Sequence, residues 1–280
     1  MTLAGKVAIV TGAGRGIGRA IALALAREGA DLVLGSRTLA ETVAVAEEAR
    51  AVGRRAAPLS VDVANYHDVQ RLIATAVGEF GRVDILVNNA AVQGPIGPLW
   101  QNPPDEWART IQINLVGVFY CCHEVIPVMR RQGGGKIINL SGGGATAPRP
   151  YFSAYAASKA AVVRLTETLA EELKEDNIQV NAIAPGAVAT RMTDEILAAG
   201  DAAGPRAVSQ AMATKRDGST PDNAAALAVF LASEASGRLT GKLISAVWDD
   251  WRSFPARLEQ IMTTDLYTLR RVIEARPSQG

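Results

Sequence analysis

The chain has few of the residues that build disulfide frameworks and metal centres. Its 280 residues include two cysteines and two histidines. Cys121 and Cys122 are adjacent, so no disulfide framework can form within the chain, which fits a reducing compartment. His67 and His123 lie far apart without a ligand spacing and read as structural or surface groups, so no metal site is expected. Charge of one sign is lacking too. Lys and Arg number 29 against 28 Asp and Glu, leaving no basic field of the kind that draws nucleic acid or an anionic membrane. Any anion must be held by a local site. Nor is there a long apolar run: none approaches the roughly 18 residues of a spanning helix. The first twelve residues enter a strand-like Val7-Ala8-Ile9-Val10 with no secretory signature. The expectation is a cytoplasmic protein with a small-molecule partner, and neither nucleic acid nor membrane.

What is present is an ordinary globular balance, 48% hydrophobic and 20% charged. Apolar strand candidates recur at residues 7–10, 32–34, 57–61, 85–87, 137–140 and 180–184. Helix-like stretches separate them at 19–28, 39–52, 66–79, 106–129 and 153–174. The strands are apolar in runs rather than alternating, as burial on both faces of a parallel sheet requires. The alternation predicts an α/β fold, a Rossmann-like doubly wound parallel sheet with helices on both faces, ligands meeting it at the carboxyl ends of the strands. One domain over residues 1–246 is expected. Residues 189–220, rich in small and polar types, form a helix-containing lid, and 247–280 form an extension. Within that extension a helical tail is predicted over 255–275, with Leu258, Ile261, Met262, Leu266, Leu269 and Ile273 on one face.

Thr11-Gly12-Ala13-Gly14-Arg15-Gly16-Ile17-Gly18 follows the first strand and opens the first helix. Glycines let the backbone turn sharply and approach a pyrophosphate, while the helix N-terminus offers free N–H groups and a positive dipole end. A plain tight turn is the bland alternative. The second strand ends at Ser36-Arg37, where an NAD site usually places an acidic side chain for the ribose hydroxyl. Arginine there, with Arg15 in the glycine loop, favours a 2′-phosphate, and so NADP(H) in preference to NAD(H). The alternative is that both arginines are solvated.

Tyr155 and Lys159 stand four apart near the start of an Ala-rich helix and so share one face. A free phenol titrates near pH 10, and a neighbouring ammonium stabilises the phenolate and brings it towards the working range. The pair suits proton delivery to a forming alkoxide. The spacing alone is common; its position after the fifth strand gives it weight.

Together these motifs resemble the short-chain dehydrogenase/reductase family in its compact one-domain form, with 3-oxoacyl-carrier-protein reductases as the nearest analogue. The match runs through Thr11-Gly12-x-x-x-Gly16-x-Gly18, Asn88-Asn89-Ala90, Asn114, the Ser141 region, Tyr155-x-x-x-Lys159 and Pro185-Gly186, in family order over about residues 5 to 242. The resemblance implies a seven-stranded sheet, hydride transfer at nicotinamide C4, and dimers or tetramers built through the helices holding Asn114 and Tyr155. By position, Tyr155 would be the acid/base, Lys159 would hold the nicotinamide ribose and lower the tyrosine pKa, and Asn114 would anchor a relay water. Gly12, Arg15, Gly16, Ile17, Gly18, Ser36 and Arg37 would meet the adenosine and phosphates. Asp62 and Val63 would lie beside the adenine, Asn89 and Ala90 beneath its ribose. Pro185, Gly186, Val188 and Thr190 would border the nicotinamide.

Three departures from the family pattern stand out. Ala91 replaces a frequent glycine. The serine that polarises the substrate carbonyl is expected thirteen residues before the tyrosine, where Gly142 stands, with Ser141 one residue earlier. Ser141 reaching the site as a catalytic group is the favoured reading, with backbone N–H groups taking over or an impaired site as the alternatives. The third is the extension with Trp248-Asp249-Asp250-Trp251, read as an arm packing its tryptophans rather than a carboxylate site. Residues 142–152, including Arg149, Tyr151 and Phe152, are candidates for the substrate pocket. The leading expectation is an NADP(H)-dependent oxidoreductase acting on a carbonyl/secondary alcohol pair; the alternative is a non-catalytic NADP(H)-binding sensor or scaffold of the same fold.

Overall fold

In the computed structural model, which describes residues 1–271, every sequence-read strand is present and a seventh joins them. The strands are β1 (Val7–Thr11), β2 (Asp31–Ser36), β3 (Ala56–Ser60), β4 (Ile85–Asn88), β5 (Gly135–Leu140), β6 (Ile178–Ala184) and β7 (Leu243–Ser245). They form one parallel sheet in the order β3-β2-β1-β4-β5-β6-β7. β1 and β4 are buried along their whole length, which is why those strands read as unbroken apolar runs.

The helices are α1 (Gly16–Arg27), α2 (Leu39–Ala51), α3 (Tyr66–Phe80), α4 (Pro104–Ile111), α5 (Gly117–Gln132), α6 (Ser153–Glu172), α7 (Arg191–Ala199), α8 (Pro205–Asp217), α9 (Pro221–Ala232) and α10 (Leu258–Met262). α1 and α9 belong to the apolar core on one face of the sheet, and α3, α5 and α6 contribute to the core on the other. The sheet is thus doubly wound. α4 and α5 are joined without a break by a π-helical turn at Gln112–Val116, carrying Asn114. The helical run Pro104–Gln132 is long and apolar enough by composition to cross a membrane, but as the core-packed helix of an α/β fold it passes that test for another reason. Cys121 and Cys122 are buried within it, and burial pushes both thiols up, Cys122 to about 12, as packing groups rather than redox centres.

The extension departs from the predicted long tail helix. A 3₁₀ stretch at Trp251–Arg257 leads into α10, which ends at Met262, and the chain then turns back. The N–H of Leu243 donates to the carbonyl of Tyr267 (2.8 Å), and Lys242 Nζ donates to the carbonyls of Thr264 (3.0 Å) and Leu266 (3.1 Å). The backbone groups of an edge strand and a buried lysine draw the segment back across β7, and they outweigh its helical periodicity. Leu258, Ile261 and Met262 pack on the core, Leu266 is exposed, and Ile273 lies outside the described residues. The tryptophans part company: Trp251 stacks on Phe230 (5.4 Å between centroids), while Trp248 is 82% exposed. Asp249 is a turn residue, its Oδ2 accepting from the N–H of Ser245 (2.7 Å).

Candidate active site

A cleft of about 860 Å³ opens at the carboxyl ends of the strands, where the strand order reverses between β1 and β4. The glycine loop forms one wall. Gly12 and Gly16 have φ of +62° and +54°, which favour glycine, and a Cβ on Gly18 would collide with the Gly12 carbonyl and the Asn89 amide. The loop is stapled to the end of β4: Asn89 Nδ2 donates to the carbonyls of Thr11 (2.9 Å) and Gly12 (3.0 Å). Thr11 Oγ1 accepts from the N–H groups of Asn89 (3.0 Å) and Ala90 (3.1 Å). Asn89, predicted to lie beneath a ribose, therefore also fixes the shape of the phosphate loop. The role of Thr11 is visible in sequence only as the first letter of the glycine motif.

At one end of the cleft lie five of the cofactor candidates read from sequence, Arg15, Ser36, Arg37, Asp62 and Val63. Two groups that sequence reasoning missed sit among them. Glu41, in the first turn of α2, pairs with Arg15 (Nη1–Oε1 3.1 Å), and its side chain fills the niche that the missing Cβ of Gly14 leaves. Arg109, on α4, pairs with Asp62. Arg37 has no carboxylate partner among the described residues. Glu41 is signalled only by an acidic residue four places after that arginine.

At the other end, Ser141, Tyr155 and Lys159 line the cleft with Ala90, Pro185 and Thr190. Gly186 and Val188 lie behind that wall; a Cβ on Gly186 would press on Val247, and Val188 is buried. Asn114 is fully buried below it. Its Oδ1 accepts from the N–H of Val92 (2.9 Å), while Nδ2 donates to the Val92 carbonyl (2.9 Å) and Ser158 Oγ (3.1 Å). The Asn114 side chain therefore holds the loop after β4 against α6.

Lys159 is buried and donates to the Leu140 carbonyl (2.8 Å), its Nζ 5.6 Å from the Tyr155 ring centroid. Burial pushes this amine down to about 8. Burial also raises the Tyr155 phenol above its ordinary value, and the charge that opposes the rise is Arg149. Lys159 spends a proton on a backbone carbonyl, and desolvation lowers its proton affinity while leaving it a cation at neutral pH. Ser141 Oγ donates to the Lys159 carbonyl (3.1 Å), committing its hydroxyl proton to α6. A Cβ built on Gly142 would stand 3.6 Å from Tyr155 Oη. The position expected to carry a hydroxyl does face the phenol, and glycine leaves it bare.

A model of the short chain dehydrogenases matches residues 6–200 of the chain. The chain belongs to the short-chain dehydrogenase family. Its relatives within that oxidoreductase family include the short-chain reductase protein NovJ of Streptomyces niveus, 41% identical over 241 residues, covering 85% of this chain and 91% of that protein. The 3-oxoacyl-[acyl-carrier-protein] reductase FabG of Staphylococcus epidermidis is 41% identical over 242 residues, covering 85% and 96%. Among solved structures, NAD⁺-bound xylitol dehydrogenase superposes with a TM-score of 0.81 at 31% identity, covering 88% of this chain and 98% of that one. The short-chain dehydrogenase frame binds a nicotinamide dinucleotide, and the cleft described above fits one: a glycine loop at a helix N-terminus, open at β1/β4, with the tyrosine at its far end.

Proposed function

We propose that this short-chain dehydrogenase transfers a hydride between nicotinamide C4 of NADP(H) and a carbonyl/secondary alcohol pair, with Tyr155 as the acid/base. The observation that carries the reading is a single cleft running from the glycine loop to Tyr155 and Lys159. When bound, the cofactor supplies or accepts the hydride. Tyr155 Oη gives its proton to the oxygen of the carbonyl being reduced, or takes one from the alcohol. Lys159 holds the ribose hydroxyls and keeps α6 docked on β5 through the Leu140 carbonyl. Asn114 positions the Val92 loop, and Ser141 steadies the first turns of α6. In this reading Ser141 is a positioning group, and the carbonyl is met from the Gly142 side by backbone N–H.

Arg15 and Arg37 support NADP(H), since a 2′-phosphate would meet two guanidinium groups at the end of β2. Glu41 is the opposing consideration, and a phosphate would have to replace it as the partner of Arg15. FabG is by its name a 3-oxoacyl-[acyl-carrier-protein] reductase, which makes 3-oxoacyl thioesters the first substrates to test within a wider carbonyl panel. The test is cofactor oxidation over a carbonyl panel. NADPH should be consumed faster than NADH, and Tyr155→Phe should lower turnover about 10²–10⁴-fold. Unchanged turnover in that variant would overturn the mechanism. A second reading, an NADP(H)-binding sensor or scaffold, is favoured by the bare Gly142. It predicts cofactor binding with no turnover on any carbonyl.

A further inference from the structure

We propose that Arg149 lowers the proton affinity of Tyr155, standing over the phenol as a permanent cation that stabilises its phenolate alongside Lys159. The inference rests on the reading of Tyr155 as acid/base. It begins with the loop between β5 and α6. The N–H of Phe152 donates to the Arg149 carbonyl (3.3 Å), closing a turn just before α6. Gly144 has φ +98° and no room for a Cβ, which would lie 2.8 Å from Ala156 Cβ and 3.4 Å from Arg149 Cβ, so the loop hugs the helix. The turn folds Arg149 across two rings: its Cζ is 4.1 Å from the centroid of the fully buried Phe152 and 5.1 Å from that of Tyr155.

Arginine normally spends its donors on carboxylates or carbonyls. The Arg149 side chain has neither a carboxylate nor a hydrogen-bond acceptor among the described residues, although it is half-buried. An unpaired guanidinium packed on the two rings has no carboxylate to cancel its field at the phenol.

The other charges around Tyr155 are few. On its own helix, Lys159 is a second cation, its Nζ 5.6 Å from the ring centroid and bonded to the Leu140 carbonyl. From α7 and α8 the charged groups lining the cleft are Arg191, Asp194, Glu195 and Lys215, and they pair among themselves: Arg191 with Glu195 (3.6 Å), Lys215 with Asp194. Elsewhere Tyr155 packs with the apolar Ile196, Ala203 and Ala211, and Ile113, Leu140 and Pro185 line the cleft with it. Arg149 is a positioning residue in this scheme, acting on substrate through Tyr155. It also bears on the bare Gly142: no side-chain hydroxyl stands there beside the phenol, and Arg149 brings a cation to it.

The sign follows from the charge. A guanidinium favours the phenolate, so removing it raises the Tyr155 pKa. In the reductive direction activity falls as pH rises through that pKa, and the falling limb should move to higher pH. In the oxidative direction the rising limb should move the same way. Each pH unit that the limb moves lowers the oxidative rate at neutral pH about tenfold.

The test compares full-length wild type with Arg149→Met and Arg149→Lys, by pH–rate profiles in both directions. In parallel, NMR titration of ¹³Cζ-labelled tyrosine, with the Tyr155 resonance assigned by Tyr155→Phe, reads the phenol without turnover. Circular dichroism confirms that each variant is folded. The expected result is a Tyr155 proton affinity about tenfold higher in Arg149→Met and largely restored in Arg149→Lys. An unmoved phenol in Arg149→Met overturns the proposal. So does a uniform loss of rate at every pH, or a shift that lysine fails to reverse, since either makes the side chain a packing element. Should Tyr155→Phe keep full turnover, the reading of the site fails while the titration still judges Arg149.

Discussion

The two ends of the cleft handle positive charge in opposite ways. At the adenosine end, Arg15 and Arg109 are each matched by a carboxylate, Glu41 and Asp62, with Arg37 the exception. At the tyrosine end, neither Lys159 nor Arg149 has a carboxylate partner among the described residues. Paired surface cations exchange one anion for another at small net cost, which suits a site that binds and releases a charged ligand. Unpaired cations in a desolvated place exert their full field on whatever charge forms beside them, which suits a site where a phenolate must appear. One end is built for exchange and the other for chemistry.

The strongest way to break this contrast is Tyr155→Phe. It should cost about 10²–10⁴ in turnover while leaving cofactor affinity within a few-fold, because the adenosine end is untouched. A matching loss of affinity, read by quenching of protein fluorescence, would mean the ends are not separable.

Gly18→Ala attacks the other end. Its Cβ meets the Gly12 carbonyl and the Asn89 amide, backbone and a stapled side chain that cannot move aside cheaply. A destabilisation of about 1–3 kcal/mol and loss of cofactor binding are expected, measured by thermal unfolding and titration.

Lys159→Met sharpens the comparison through stability. The folded state holds this lysine at about 8 against an ordinary 10.5, so between those values the unfolded chain binds more protons and wild-type stability rises with pH. Below about pH 8 the buried ammonium is a standing cost. The difference in unfolding free energy between wild type and Lys159→Met should therefore move in favour of wild type from pH 8 to 10. A pH-independent difference would contradict the assignment.

Glu41→Gln has the smallest expected effect. Freeing Arg15 should tighten NADPH several-fold relative to NADH, in line with an exposed pair worth about 1 kcal/mol or less. Equal changes for both cofactors would remove Glu41 from the 2′-phosphate question.

The sheet and most of its helices are legible in the sequence because buried parallel strands leave short continuous apolar runs at regular intervals between longer helical stretches. The glycine loop is legible for a related reason: Gly12, Gly16 and Gly18 occupy places where a side chain has no room or an unfavourable φ. The tail is not. Its apolar spacing continues past Met262, but Lys242 and the N–H of Leu243 capture the backbone near Thr264 to Tyr267, and such long-range pairing leaves no local signal. Glu41 and Arg149 are hidden in the same way. Each acts through a contact made possible by a glycine, Gly14 or Gly144, that reads in sequence only as a flexible loop. Ser141 is the nearest hydroxyl in sequence, yet a one-residue offset at the end of β5 turns it to the Lys159 carbonyl.

The most direct test of the account follows the hydride itself. The full chain would be incubated with NADPH deuterated at C4 on either face, together with 3-oxoacyl thioesters and the wider carbonyl panel, and the alcohols analysed by mass spectrometry. The account predicts deuterium on the carbinol carbon from one face of the cofactor alone, with labelled product falling about 10²–10⁴-fold in Tyr155→Phe. Cofactor binding without a labelled alcohol from any substrate, or equal labelling in Tyr155→Phe, would contradict it.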